Sequence, residues 1–443
     1  MTHLSVREWG NRPVGEGGFT RSQADALLAA ARAHPCAHEE GTNVLVDLHT
    51  KLSARQMVGV IAAEGCSLEI LPKVDPDLAD EDAANVRSRL LRMLQVALGL
   101  DLSIGATADL ARQGETLLDI IIRVFADQLL GEVRRGLPRR YQGHHDDLVA
   151  LRGRLDVARQ FTHHAVRPDR LACCFDELDA NTPLMQIMAA AVTSLAHHAR
   201  SFETQRRLSE LRHAFADIEL KPLSMLPWDE VQIDRTNRRW KGLLDLAELL
   251  LRRDWQATHH APGKAGITLL FPMNDLFEAY VGALLRQAWA GTDISVTEQG
   301  GRAFCLGDHT GEHLERGNLF QTKPDFILYR GSEIVAIIDT KWKKLGEPTD
   351  RKRGIQQGDV YQLMAYARLY RTKELMLLYP ADPGSGSRMQ RGFGIVGGAD
   401  RLSIGTLDIA ASEDAIVSAL HSLTRPLVTT DHAARDWADC EAS

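Results

Sequence analysis

The sequence predicts an α/β chain of several domains, α+β in its overall arrangement, and three observations carry that prediction. At 443 residues, the chain exceeds what one core encloses at roughly 100–200 residues per domain, so two or three domains are expected. Its apolar periodicity changes along its length, from strand-like alternation to helical three- and four-residue spacing, and then to interleaved helices and strands. Finally, Ile334, Val335, Ala336, Ile337 and Ile338 form an unbroken apolar run leading into charged residues. Such a run marks a strand buried on both faces.

The first region, residues 1–156, reads as mixed. Short strand-like runs fall at 4–9, 43–49, 56–62 and 67–71, and Pro72 ends the last of them. An alanine-rich helix spans 21–34 with Thr20 as its cap, and helices follow at 81–98 and 116–135. Residues 136–156 carry Arg139, Arg140, Tyr141 and Arg152 and read as a basic loop or hairpin. A helical middle region covers 157–262, with helices at 181–200, 203–215 and 236–252. A Gly- and Pro-rich linker at 259–266 opens the third region, 263–428. There a helix at 273–289, with Asn274 as its N-cap, precedes strands at 293–298 and 318–329. Arg330 and Gly331 turn the chain into a strand at 332–341, followed by a helix at 358–370 and a strand at 374–379. Residues 429–443 form a polar tail.

Composition narrows the function classes. With 44% hydrophobic and 25% charged residues the chain is neither collagen-like nor a low-complexity polymer. A net charge of −7 argues against indiscriminate coating of nucleic acid, so contact with a polyanion requires a local basic patch. The six cysteines follow no repeating spacing, the N-terminal residues are polar, and no run reaches the ~18 apolar residues of a membrane span. A cytoplasmic protein with reduced cysteines and no membrane contact is expected.

Chemistry concentrates at Asp325, Asp339 and Lys341. Asp325 opens one strand of a tight hairpin, and Asp339 and Lys341 close the other. Residues two apart share a strand face, so Asp339 and Lys341 project together while Thr340 points away. Two carboxylates are hard oxygen ligands for Mg²⁺. Such a metal generates hydroxide and offsets charge in phosphodiester hydrolysis, and an ammonium orients water or stabilises developing charge. Glu278, on the preceding helix, faces the same hairpin. Gln362 and Tyr366 share one face of the following helix at i and i+4. Lys343, Lys344, Arg351, Lys352 and Arg353 form a basic run beside these residues and are candidates for the DNA backbone. Cys305, His309 and His313 have metal-like spacing but no fourth ligand. No phosphate loop exists: Gly263, Lys264 and Ala265 lack its spacing and hydroxyl, so this chain is not a motor.

Glu278, Pro324 with Asp325, Asp339-Thr340-Lys341, and Gln362 with Tyr366 resemble the PD-(D/E)xK nuclease superfamily, in the branch with a Gln-x-x-x-Tyr helix. The runs 273–278, 338–343 and 359–366 resemble more narrowly the McrC family, the nuclease subunits of McrBC modification-dependent restriction systems. The upstream runs 68–73, 136–141 and 151–156 are similar to that family's N-terminal and central signatures. The resemblance implies a restriction-endonuclease-like domain, a mixed central sheet flanked by helices, preceded by a partner-docking region. It implies Asp325 and Asp339 as Mg²⁺ ligands, Lys341 as the catalytic lysine, Glu278 as a further acidic participant, and Gln362 and Tyr366 as support for substrate or lysine. It also implies double-stranded DNA modified at cytosine as substrate, and a hexameric AAA+ GTPase, McrB-like, as the partner that binds GTP. Arg139, Arg140, Tyr141 and Arg152 are the candidates for contact with that partner. A non-cleaving activator of such a motor and a stand-alone repair nuclease of the same superfamily are the alternatives.

Overall fold

A computed structural model describes residues 2–34, 44–73, 83–100, 115–164, 166–167, 169–257, 267–301, 303–307, 317–345, 354–382 and 384–429. The N-terminal part comprises β1 (Thr2–Arg7), β2 (Asn11–Pro13), α1 (Arg21–Arg32), β3 (Leu45–Asp47), β4 (Lys51–Ala54), β5 (Met57–Ala63) and β6 (Cys66–Leu71). Thr20 caps α1 as expected, in a reciprocal capping box with Gln23. The buried stripe Ala24, Leu27, Leu28 and Ala31 then lays α1 on the sheet, in one core with Ile61, Leu68 and Ile70. Every residue of β5 and β6 is buried: β5 carries no polar side chain, whereas Ser67 and Glu69 of β6 alternate with apolar neighbours.

The middle part holds α2 (Ala83–Leu98), α3 (Leu117–Arg134), β7 (Arg140–Leu148), β8 (Arg154–Leu155), α4 (Val157–His163), β9 (Leu171–Asp179), α5 (Pro183–Ala196), α6 (Phe202–Ala214) and α7 (Lys241–Ala257). Its long helices are those expected, with α5 and α3 buried deepest. One expectation fails. The helical region is interrupted by β9, which pairs antiparallel with β7 over nine residues, Arg140 opposite Asp179 through Leu148 opposite Leu171. β7 is polar and largely exposed, and β9 joins an apolar half at 171–175 to an acidic half, so neither shows clear alternation and their pairing rests on the partner strand rather than on a local pattern.

The last part contains β10 (Ile267–Pro272), α8 (Met273–Ala288), β11 (Ile294–Glu298), β12 (Phe304–Leu306), β13 (Leu319–Gln321), β14 (Phe326–Arg330), β15 (Glu333–Thr340), α9 (Gln357–Tyr370), β16 (Glu374–Pro380), β17 (Arg388–Gly394), β18 (Arg401–Leu407) and α10 (Glu413–Val428). β10 completes the N-terminal sheet, in the order β1-β6-β5-β10. The strand expected at 318–329 is broken at Thr322–Asp325, where Pro324 lacks the N–H a ladder needs. Asn274 is not the cap of α8: the helix begins at Met273 behind Pro272, and Asn274 lies in its first turn.

The central sheet is mixed, as expected, with order β11-β14-β15-β16-β18-β17. β14 and β15 are antiparallel and joined at Gly331, whose φ of 61° suits the turn. β15, β16 and β18 run parallel. The apolar run of β15 feeds two cores. Ile337 packs with Leu363 and Tyr366 of α9, whereas Ala336 and Ile338 face the core that includes Phe277 of α8 and Leu420 of α10. That division accounts for an apolar residue at every position. No helix among the described residues is long and apolar enough to cross a membrane.

Candidate active site

β15 leaves the double core at Asp339, whose side chain is 1% exposed. Burying an ionised carboxylate without full hydrogen bonding is costly, and Asp339 Oδ1 has no hydrogen-bond partner among the described residues. Lys341 Nζ lies 2.5 Å from Oδ2 as an ion pair. Burial pushes the Asp339 carboxyl up to about 6, and the neighbouring Asp325 carboxylate adds to the rise.

Asp325 sits where the broken strand enters β14. Thr340 donates to its Oδ2 twice, from the backbone N–H at 2.6 Å and from the hydroxyl at 2.7 Å. Thr340 therefore does not simply point away: it clamps one proposed ligand from between the other two site residues. Burial still raises the Asp325 carboxyl above its ordinary range, despite the two bonds from Thr340. Burial disfavours the Lys341 ammonium, but Asp339, Asp325 and Asp359 outweigh it and hold the pKa above its usual value. Two carboxylates and one ammonium thus converge at the end of the central strand.

Glu278 of α8 is half-buried, and Gln299 Nε2 donates to its Oε1 at 3.0 Å. Burial and the Asp325 charge raise its carboxyl to about 7, which places it in the same electrostatic field. Gln362 and Tyr366 sit together on α9. Lys341 Nζ approaches Gln362 Oε1 at 3.5 Å, Gln362 Nε2 donates to the Tyr366 hydroxyl at 2.7 Å, and that hydroxyl donates to the Lys323 carbonyl at 3.2 Å. The relay ties the lysine to the segment that carries Asp325. Burial pushes the Tyr366 hydroxyl up to about 12, so it stays protonated and able to donate.

Among the described residues, no group of three or more His, Cys, Asp and Glu side chains could hold a metal ion. The pair Asp325 and Asp339 fits a hard cation that keeps several waters and takes one or two carboxylates. The unpartnered Oδ1 of Asp339 is a lone pair such a cation would use. His309 and His313 lie outside the described residues, and Cys305 is exposed.

The basic run is partly committed to partners. Lys343 pairs with Asp359 of α9, and Lys344 lies 3.5 Å from Asp382. Arg351, Lys352 and Arg353 lie outside the described residues. Arg139, Arg140, Tyr141 and Arg152 belong to the separate β7–β9 unit or its approach. Tyr141 is 75% exposed, Arg140 pairs with Asp234 at 3.1 Å, and Arg152 pairs with Glu177 while covering the Phe175 ring at 4.1 Å. Thr340, Gln299 and Asp359 join the site without having been anticipated. Of these only Asp359 had a sequence signal, lying on the Gln362 helix one turn before it.

The family model described as "McrBC 5-methylcytosine restriction system component" matches residues 52–380. No curated protein matches the chain. Two solved structures from Thermococcus gammatolerans share the fold. A chain of the refined half-complex from a tetradecameric assembly of McrB AAA+ hexamers with bound McrC is 20% identical, with a TM-score of 0.74, covering 96% of this chain and 100% of that one. A chain of the McrBC complex is 24% identical, with a TM-score of 0.54, covering 65% of this chain and 88% of that one.

Proposed function

The chain belongs to the family of McrBC 5-methylcytosine restriction system components, and we propose that it is the endonuclease subunit of a GTP-dependent, modification-dependent restriction complex. The observation that carries the reading is the convergence of Asp325, Asp339 and Lys341 at the end of the buried strand β15, with both carboxyls raised. Asp325 and Asp339 would hold Mg²⁺. When bound, the metal supplies Lewis acidity and a nucleophile at neutral pH.

The residues of the chain do the rest. Thr340 fixes the Asp325 carboxylate through two donors. Lys341 presents a positive charge where the phosphorane-like transition state becomes more negative. Gln362 and Tyr366 hold that ammonium in place through the relay to Lys323. Glu278, with a carboxyl near 7, is placed to exchange a proton at neutral pH. The substrate is double-stranded DNA carrying modified cytosine. The partner is a McrB-like AAA+ GTPase hexamer that binds the GTP, reached through Arg139, Arg140, Tyr141 and Arg152. This assignment draws support from the two Thermococcus structures, one an assembly of McrB AAA+ hexamers with bound McrC and the other a McrBC complex. Lys343, Lys344, Arg351, Lys352 and Arg353 serve the DNA backbone.

The test reconstitutes the chain with its GTPase, methylated DNA, GTP and Mg²⁺. Asp339→Ala and Lys341→Ala are expected to abolish cutting while still stimulating GTP hydrolysis. Full cleavage by either variant refutes the site. A wild type that stimulates GTPase and never cuts is an activator, and one that cuts without any NTPase is a stand-alone nuclease.

A further inference from the structure

A cavity of about 260 Å³ opens between the N-terminal sheet and the start of α8. Its walls include Glu8, Trp9, Lys73, Trp342, Lys343 and Lys344. Trp342 and Lys343 directly follow Lys341, so the cavity adjoins the proposed reaction centre along the chain itself. It lies a little below the range of about 300–1,000 Å³ usual for small-molecule sites, which suits a single nucleotide and not a stretch of duplex.

The two tryptophans differ in their freedom. Trp342 is fixed: its ring packs on Phe277 with centroids 5.4 Å apart, and its Nε1 donates to Glu8 Oε2 at 3.2 Å. Trp9 is 49% exposed on a backbone with φ of 62°, and the Arg55 guanidinium lies 5.4 Å from its ring centroid. A bulky residue at positive φ is an outlier that surrounding structure must enforce. Here it leaves the ring half-exposed at the cavity rim, with Arg55 over one face. Three lysines line the same space. Lys343 and Lys344 face Asp359 and Asp382, whereas the exposed Lys73 shows no ion pair among the described residues. The acidic wall is muted, because burial raises the Glu8 carboxyl to about 7.

A half-exposed aromatic ring set among cationic side chains is the arrangement that takes an unstacked base and its phosphate. We infer that this cavity binds one nucleotide of a DNA strand whose base has left the duplex stack, the base against Trp9 and the phosphate at Lys73 and Lys344. The inference rests on reading the chain as a DNA-cutting subunit and adds to it a subsite next to the cut.

The experiment measures anisotropy of a fluorescein-labelled single-stranded dodecamer with the full chain in EDTA, where no metal-dependent cutting occurs. Competitors are the same sequence as a duplex, and deoxyadenosine monophosphate. Trp9→Ala is expected to weaken single-strand binding about tenfold and Trp9→Phe to restore most of it. Lys73→Gln is expected to weaken binding and lower the salt-dependence slope by about one. Circular dichroism checks that each variant folds, and Lys73→Gln, on an exposed side chain, keeps the test alive if Trp9→Ala does not. Binding unchanged in both Trp9→Ala and Lys73→Gln overturns the inference. So does a duplex that competes as well as the single strand, or a mononucleotide that binds as tightly as the dodecamer. Cleavage by the wild type with Mg²⁺, GTP and the partner is scored separately: cutting without Trp9-dependent binding sinks the subsite alone, and binding without cutting sinks the nuclease reading alone.

Discussion

Two buried carboxylates sit in comparable darkness and behave oppositely. Glu69, in the N-terminal sheet, has a side chain 0% exposed, and that of Asp339 is 1% exposed. Arg87 meets both oxygens of Glu69, Nε at 2.8 Å and Nη2 at 2.7 Å. Ser5 Oγ and the Leu117 N–H complete the set at 2.8 and 2.9 Å. Burial alone would raise the Glu69 carboxyl, yet these partners hold it below its ordinary value. Asp339 has one lysine, a carboxylate neighbour and an unpartnered oxygen, and its carboxyl rises to about 6. The first carboxylate has its charge fully answered within the fold. The second is left short of partners, which is what its proposed role as a metal ligand requires.

Exchanging each acid for its amide breaks the comparison most sharply. Asp339→Asn is expected to lower the single-turnover cleavage rate by about 10³-fold or more. Its urea midpoint should hold or rise, because a repelled buried charge is gone. Glu69→Gln should leave cleavage per folded molecule unchanged and cost about 3–5 kcal/mol of stability by depriving Arg87 of its carboxylate. A metal titration sharpens the same contrast. Mg²⁺ at about 100 times its Kd should stabilise the wild type by about 3 kcal/mol in thermal melts. It should leave Asp339→Asn where it was, and an equal shift in both proteins would remove Asp339 from the ligand set.

The difference between the two regions also explains what the sequence disclosed. Strand β15 was readable because burial on both faces demands an apolar residue at every position, and Asp339 stood out as a charge at its end. Gln362 and Tyr366 were readable because helical spacing alone puts them on one face. The role of Thr340 was not, since strand alternation turns it away from Asp339 and only the antiparallel β14 brings Asp325 to it. The pairing of β10 with β5 joins segments more than two hundred residues apart, which local pattern cannot encode. β7 and β9 stabilise each other while exposing much of their surface, so neither carries an amphipathic signature.

Glu8 lies between the two extremes and gives a smaller effect. It accepts from the Lys73 N–H at 3.1 Å and from Trp342 Nε1, but no cation meets it as Arg87 meets Glu69. Burial raises its carboxyl from 4.5 to about 7. Between those values the folded chain keeps a proton that the unfolded chain has released, so this group's contribution to stability falls as pH rises from about 4.5 to 7. Comparing wild type with Glu8→Gln by urea unfolding at pH 5 and pH 8 isolates it. The wild type should lose about 2 kcal/mol relative to the variant over that interval, and a constant difference would show that Glu8 is ionised throughout.

The smallest effect tests whether the reserved site is nonetheless held rigidly. Tyr366→Phe removes only a hydroxyl, leaving Gln362 Nε2 and the Lys323 carbonyl each without one partner. For an ordinary hydrogen bond the stability cost is about 1 kcal/mol, and a purely structural tyrosine would show that cost and nothing more. If the relay positions the ammonium, cleavage should fall about three- to tenfold beyond any change in folded fraction, while DNA affinity stays the same. Gln362→Ala, which removes the contact to Lys341 directly, should match or exceed it. The double variant should lose little more than Gln362→Ala alone, since groups acting through one lysine are not additive. Additive losses would mean that Tyr366 acts on the Asp325 segment through Lys323 rather than on Lys341, moving it from the lysine's support to the carboxylate's.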